Sequence, residues 1–267
     1  MTNIEKCFKK IISFEESNYF SCIAYSSDGR HIASFVPSGG GNVEDDYYII
    51  KIWDTTTGKL FRTIIERTSY TRNLAFIKNK NYLVYINFNL DKNERIYNIK
   101  IIDYFSGNEI ISLQNYNPQY IACSPDGQRL AFINKEISLS ESLFDIHTIR
   151  VLDTSTWNEI KKYDFVNIAN FDSLTYSENS QYLYFTDSNN LIIDTFTDKK
   201  VFISNEFDTL PGSRIALSSD LKLIASSYQG ELDTEDINIW GFNSGKLLKT
   251  VNDEPIYGDP INYPFYC

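Results

Sequence analysis

Hydrophobic and polar residues alternate along this chain in short runs, and the runs recur in one order five times. Each recurrence opens with a small residue between two larger ones: Ile23-Ala24-Tyr25, Leu74-Ala75-Phe76, Ile121-Ala122-Cys123, Leu174-Thr175-Tyr176 and Ile215-Ala216-Leu217. Period-two alternation predicts a strand with one bulky face and one face that a neighbouring sheet can approach closely. A turn follows (SSDGRH, IKNKNY, SPDGQR, SENSQY, SSDLKL), in which Asp-Gly and Asn supply the positive φ and local hydrogen bonds of a hairpin. Ile32, Leu83, Leu130, Leu183 and Ile224 open a second strand, and a third ends in an apolar-Asp step: IKIWD, IKIID, IRVLD, NLIID and INIWG. The fourth strand (LFRTI, IISL, IKKY, VFIS, LLKTV) is shorter and more charged, as suits an outer edge. No run of helical period competes.

The ends of the third strands, at Asp54, Asp103, Asp153, Asp194 and Gly241, fall 41 to 50 residues apart. That spacing belongs to radially repeated β-architecture. The predicted fold class is all-β: a β-propeller of four-stranded antiparallel blades in a single domain, 1–267. Five blades are recognisable, at approximately 20–65, 72–114, 119–164, 172–204 and 213–252. Phe8, Lys9, Lys10 and Ile11 repeat the outer-strand pattern of Phe61, Arg62, Thr63 and Ile64, which predicts an extra N-terminal strand. Phe265, Tyr266 and Cys267 align with Ile121, Ala122 and Cys123, as the start of a sixth first strand. Two arrangements fit: an incomplete ring of six or more blades, which the ends favour, or a ring closed with five whose ends are caps. An incomplete ring exposes sheet surface and implies self-association or a partner chain.

Ser124-Pro125-Asp126-Gly127 and Trp53-Asp54 sit where WD-repeat propellers place their turn and their Trp-Asp pair. Over nearly its whole length the chain resembles a degenerate member of that family. Only one copy keeps Trp-Asp, and the family's Gly-His before the first strand is missing from every copy. The resemblance therefore implies that the buried His, Ser, Asp, Trp network of the family does not form. Ser34 and Ser226 still match its serine, and Trp53 and Trp240 its tryptophan. It also implies a non-enzymatic protein-protein interaction scaffold with no cofactor. The SPDGQRLAF stretch is similar as well to propellers attached to serine peptidases, which implies an alternative, a regulatory or substrate-gating propeller of a larger enzyme. A third reading is small-ligand or metal binding in the central channel.

With 42% hydrophobic and 15% aromatic residues in 267, the chain can bury a sizeable core. Residues 2–20 mix lysines with glutamates and hold no apolar run of signal-peptide length, and no later run approaches the roughly 18 residues of a membrane span. The expected setting is cytoplasmic. Cys7, Cys22, Cys123 and Cys267 form no Cys-x-x-Cys pair, so they read as small hydrophobes in a reducing compartment. His31 and His147 belong to opposite ends of their sheets and do not converge on a nucleophile. Gly39, Gly40 and Gly41 lack the Lys-Ser or Lys-Thr of a phosphate loop. Asp91, Asn93 and Arg95 alternate as a calcium loop starts, and Asp233, Glu235 and Asp236 lie close enough to share a cation. Both sets read more simply as solvated acidic loops.

Charge distribution is the strongest functional signal. The second-to-third connections, read as 36–48, 87–98, 134–148, 187–189 and 228–236, together carry −10, the net charge of the whole chain. Glu44, Asp45 and Asp46 supply part of it, and Glu231, Asp233, Glu235 and Asp236 another. In a four-strand meander these connections emerge at the same end as the fourth-to-first connections, which hold Tyr19, Tyr70, Tyr116, Phe171 and Phe207. Aromatic anchors among acidic loops suit a protein or basic peptide. A pI near 4.8 opposes nucleic acid and anionic membrane alike.

Overall fold

The computed structural model of the chain describes residues 22–37, 48–66, 73–91, 94–136, 146–166, 173–186, 191–202, 215–229, 235–242 and 244–251. Each cassette forms one four-stranded antiparallel sheet in sequential order, and the described residues contain no helix. The first sheet is β1 (Ile23–Tyr25), β2 (His31–Pro37), β3 (Tyr48–Asp54) and β4 (Leu60–Glu66). The second is β5 (Leu74–Ile77), β6 (Tyr82–Asp91), β7 (Glu94–Asp103) and β8 (Glu109–Leu113). The third is β9 (Pro118–Cys123), β10 (Arg129–Glu136), β11 (Ile146–Asp153) and β12 (Glu159–Val166). The fourth is β13 (Ser173–Tyr176), β14 (Tyr182–Thr186), β15 (Leu191–Asp194) and β16 (Lys199–Phe202). The fifth is β17 (Ile215–Leu217), β18 (Leu223–Gln229), β19 (Glu235–Gly241) and β20 (Leu247–Val251). These are the blades of a β-propeller. The terminal strands expected at Phe8–Ile11 and from Phe265 lie outside the described residues.

The five sheets share one register. Across the first three strands the same triple is paired each time: Tyr25, Ile32 and Trp53; Phe76, Leu83 and Ile102; Cys123, Leu130 and Leu152; Tyr176, Leu183 and Ile193; Leu217, Ile224 and Trp240. Because side chains alternate along a strand, a fixed register sends this triple to one face and its neighbours to the other. In the second to fifth sheets that face looks at the preceding blade. Leu83 and Ile102 pack on Phe35 and Ile50 of the first sheet, Leu130 and Leu152 on Val84 and Ile101 of the second. Leu183 and Ile193 likewise pack on Ile133 and Val151 of the third, and Ile224 and Trp240 on Tyr184 and Ile192 of the fourth. The core is thus a series of seams between blades. Each fully buried Phe or Ile in a seam stabilises the fold by about 1.5–3 kcal/mol.

At the inner edge β1 packs on β5, β5 on β9 and β9 on β13, where Ala24, Ala75 and Ala122 permit close approach. The third-to-fourth pairing carries a register shift at the same place in four sheets, between Ile52 and Trp53, Ile101 and Ile102, Val151 and Leu152, and Ile239 and Trp240. Bulges of this kind increase local twist, which a blade needs.

One sequence expectation is corrected. Residues 87–98 were assigned to a connection, but β6 and β7 form a continuous ladder that runs out to Asp91 opposite Glu94. Asn87 and Asn98 pair across this ladder and are buried, so their polarity does not mark a loop. Asp91 and Arg95 are therefore ladder residues and not the start of a calcium loop. In the buried fifth-sheet seam Trp240 Nε1 donates to Ser226 Oγ at 3.1 Å, one polar bond among apolar neighbours. A tryptophan and a serine two strand positions apart suffice for that bond without the missing histidine.

Candidate binding surfaces at the two ends of the blades

The second-to-third and fourth-to-first connections leave one end of the sheets. Of the residues expected to bind there, Tyr19, Tyr70, Glu44, Asp45, Asp46, Glu231 and Asp233 lie outside the described residues. Glu235 and Asp236 are the first residues of β19, opposite Gln229 and Tyr228, so they extend the ladder where a loop was expected. Tyr116 is half-buried at the seam between the second and third sheets. Its ring meets Phe132 edge-on at 4.9 Å and lies 5.4 Å from the Arg150 guanidinium.

Around Tyr116 is a polar network that the sequence reading missed. Arg150 donates to Glu136 at 2.9 Å and to Glu159 at 2.5 Å, and Thr148 donates to Glu136 at 3.0 Å. Burial alone would push Glu136 up, but hydrogen bonds from Arg150 and Thr148 leave it below its ordinary value. Asn134 accepts the Asn117 backbone N–H at 2.7 Å, and Asn73 reaches the Gln119 carbonyl at 3.0 Å. The signal was present: Asn134, Thr148 and Arg150 sit at strand positions whose period calls for apolar residues facing the second sheet. A polar residue on a seam position marks a place where the seam opens to solvent or to a partner.

The opposite end carries the first-to-second and third-to-fourth turns. Ser26, Ser124, Ser177 and Ser218 each donate to Asp28, Asp126, Asn179 and Asp220 two residues on, and accept the N–H five residues on. Asp54, Asp103, Asp153 and Asp194 accept the two N–H groups that follow in the other turn. The apolar-Asp step is thus a turn device. The Ser155 hydroxyl, then the N–H groups of Thr156 and Ser155, hold Asp153 down to about 2.

Cations stitch neighbouring blades at this end. Arg62 donates to the Phe105 carbonyl, Lys80 to the Thr154 carbonyl at 2.6 Å, and Arg129 to the Thr195 hydroxyl at 2.8 Å. Lys161 reaches the Thr195 carbonyl at 2.5 Å and Asp198 at 2.6 Å. His31 is buried among Phe61 at 4.7 Å and Tyr104 and Phe105 at 5.4 Å. Two clefts open here. One of about 290 Å³ lies between the first and second sheets beside Asp28, Lys80 and Tyr104. The other, of about 330 Å³, is shared by the third, fourth and fifth sheets.

Among the described residues no group of three or more His, Cys, Asp or Glu is placed to hold a metal ion. Burial pushes the free thiol of Cys123 up to about 12, which leaves it protonated and unreactive. His31 and His147 begin β2 and β11 at opposite ends of their sheets. No helix of the described residues is long and apolar enough to cross a membrane. No protein-family model matches the chain, and no curated protein matches it.

Proposed function

We propose that the protein is a non-enzymatic interaction module, a degenerate WD-repeat propeller that takes a protein or basic peptide on the end bearing the second-to-third connections. The observation that carries this reading is the common register of the five sheets. With one register, every second-to-third connection leaves from the same end, and those connections together with the ladder ends that border them hold acidic charge equal to the chain's net −10. Concentrated charge of one sign raises the encounter rate with a cationic partner, and aromatic side chains such as Tyr116 then supply contact area. The free thiol of Cys123 suits a reducing, cytoplasmic setting.

The test is an anisotropy titration of a fluorescent lysine-rich nonapeptide containing one tyrosine, at several salt concentrations. The variant combines Glu231→Gln, Asp233→Asn, Glu235→Gln and Asp236→Asn. The expected result is binding at least fivefold weaker than wild type at low salt, with a shallower salt slope, as loss of about four charges demands. Equal affinity and equal slope for the two proteins would remove the acidic end as the binding surface.

A further inference from the structure

The cleft at the junction of the third, fourth and fifth sheets lies at the other end of the blades from the acidic connections. Its walls include Pro125, Tyr176, Tyr184 and Leu217, and its volume is about 330 Å³. That is the lower end of the range for small-ligand sites. Most polar groups on these walls are committed. Ser177 donates to Asn179 at 2.7 Å, Ser218 to Asp220 at 2.7 Å, and Tyr184 is hydrogen-bonded to Thr175 and to the Leu217 backbone.

Tyr176 is a buried exception. It is only 5% exposed, and its hydroxyl has no hydrogen-bond partner among the described residues. Leaving a buried hydroxyl unpaired is costly, and native structures rarely do so without a ligand or water to answer it. Burial pushes the phenol above its ordinary value, so it stays protonated and offers a donor. Glu178 stands exposed beside the same cleft and sets the sign of charge it accepts.

We infer that this cleft is a second binding site, for a short peptide segment presenting an apolar residue next to a lysine or arginine. The apolar side chain packs among Pro125, Tyr184 and Leu217. A main-chain carbonyl accepts the free Tyr176 hydroxyl, and the cation meets Glu178. A carboxylate or phosphate ligand is opposed by Glu178. The assignment is independent of the acidic end.

The probe is acetyl-Leu-Lys-amide, titrated into the full chain carrying ring-labelled tyrosine and followed by NMR. Saturable shifts are expected in the Tyr176 and Tyr184 signals, identified through Tyr176→Phe and Tyr184→Phe. Tyr176→Phe should weaken binding about tenfold while leaving the melting temperature unchanged or raised, since it removes a hydroxyl that none of the described residues uses. Glu178→Gln and the probe acetyl-Leu-Glu-amide should each weaken binding severalfold at low salt. Three results would overturn the assignment: no saturable shift at millimolar probe, a lower melting temperature for Tyr176→Phe, or equal affinity for the lysine and glutamate probes.

Discussion

At the scale of single residues, identical local sequence has different consequences depending on what the fold brings against it. Gly29 and Gly127 occupy the same Asp-Gly turn position, with φ of +69° and +74°. A Cβ on Gly29 would meet nothing within 4 Å among the described residues, whereas one on Gly127 would sit 2.1 Å from the Lys78 carbonyl oxygen of the neighbouring blade. Backbone cannot step aside as a flexible side chain can. Gly29→Ala is therefore expected to cost about 1 kcal/mol, the price of left-handed backbone, and Gly127→Ala about 3 kcal/mol or more. Urea unfolding of the two variants separates them, and equal losses would mean that the turn alone sets the cost. The Asp-Gly dipeptide announces both turns. Only the register of one blade against the next distinguishes them.

At the scale of elements, the turns make the fold acid-sensitive in a defined window. The carboxylates of Asp28, Asp54, Asp153 and Asp220 accept hydrogen bonds that hold each below its ordinary value of 3.8. A depressed folded value means stability that is complete above 3.8 and is lost as pH falls through the lower folded values, to about 2 for Asp153. Urea midpoints measured from pH 6 downward should hold level to about 4 and then fall. Asp153→Asn, which keeps an acceptor oxygen without a proton to gain, should flatten the lower part of that fall. The strands themselves were legible because alternation and Asp-containing turns are local signals. The connections were less so: Asn87, Asn98, Glu235 and Asp236 are polar ladder residues, and polarity had been read as loop. Their pairing rests on a partner strand that the local pattern does not reveal.

At the scale of the whole molecule, each blade packs on the one before it through a seam, so the fold is a chain of nearest-neighbour interfaces. Phe185 is fully buried in the seam between the third and fourth sheets. Phe185→Ala is expected to cost about 3–5 kcal/mol and to speed amide exchange in those two sheets ahead of the first and second. Uniform acceleration throughout would show a single cooperative unit instead. The same scale decides function. Sequence by itself determined the five cassettes, their strand order and the acidic excess in one class of connection, because period, turn chemistry and charge are written residue by residue. It also placed Tyr116 at the end of a blade. Tertiary structure decided what that tyrosine touches, which polar residues gather at the seams, and that Tyr176 keeps a buried hydroxyl unpaired beside a cleft. Those depend on distances between residues far apart in the chain, and such distances exist only once one blade has packed against another.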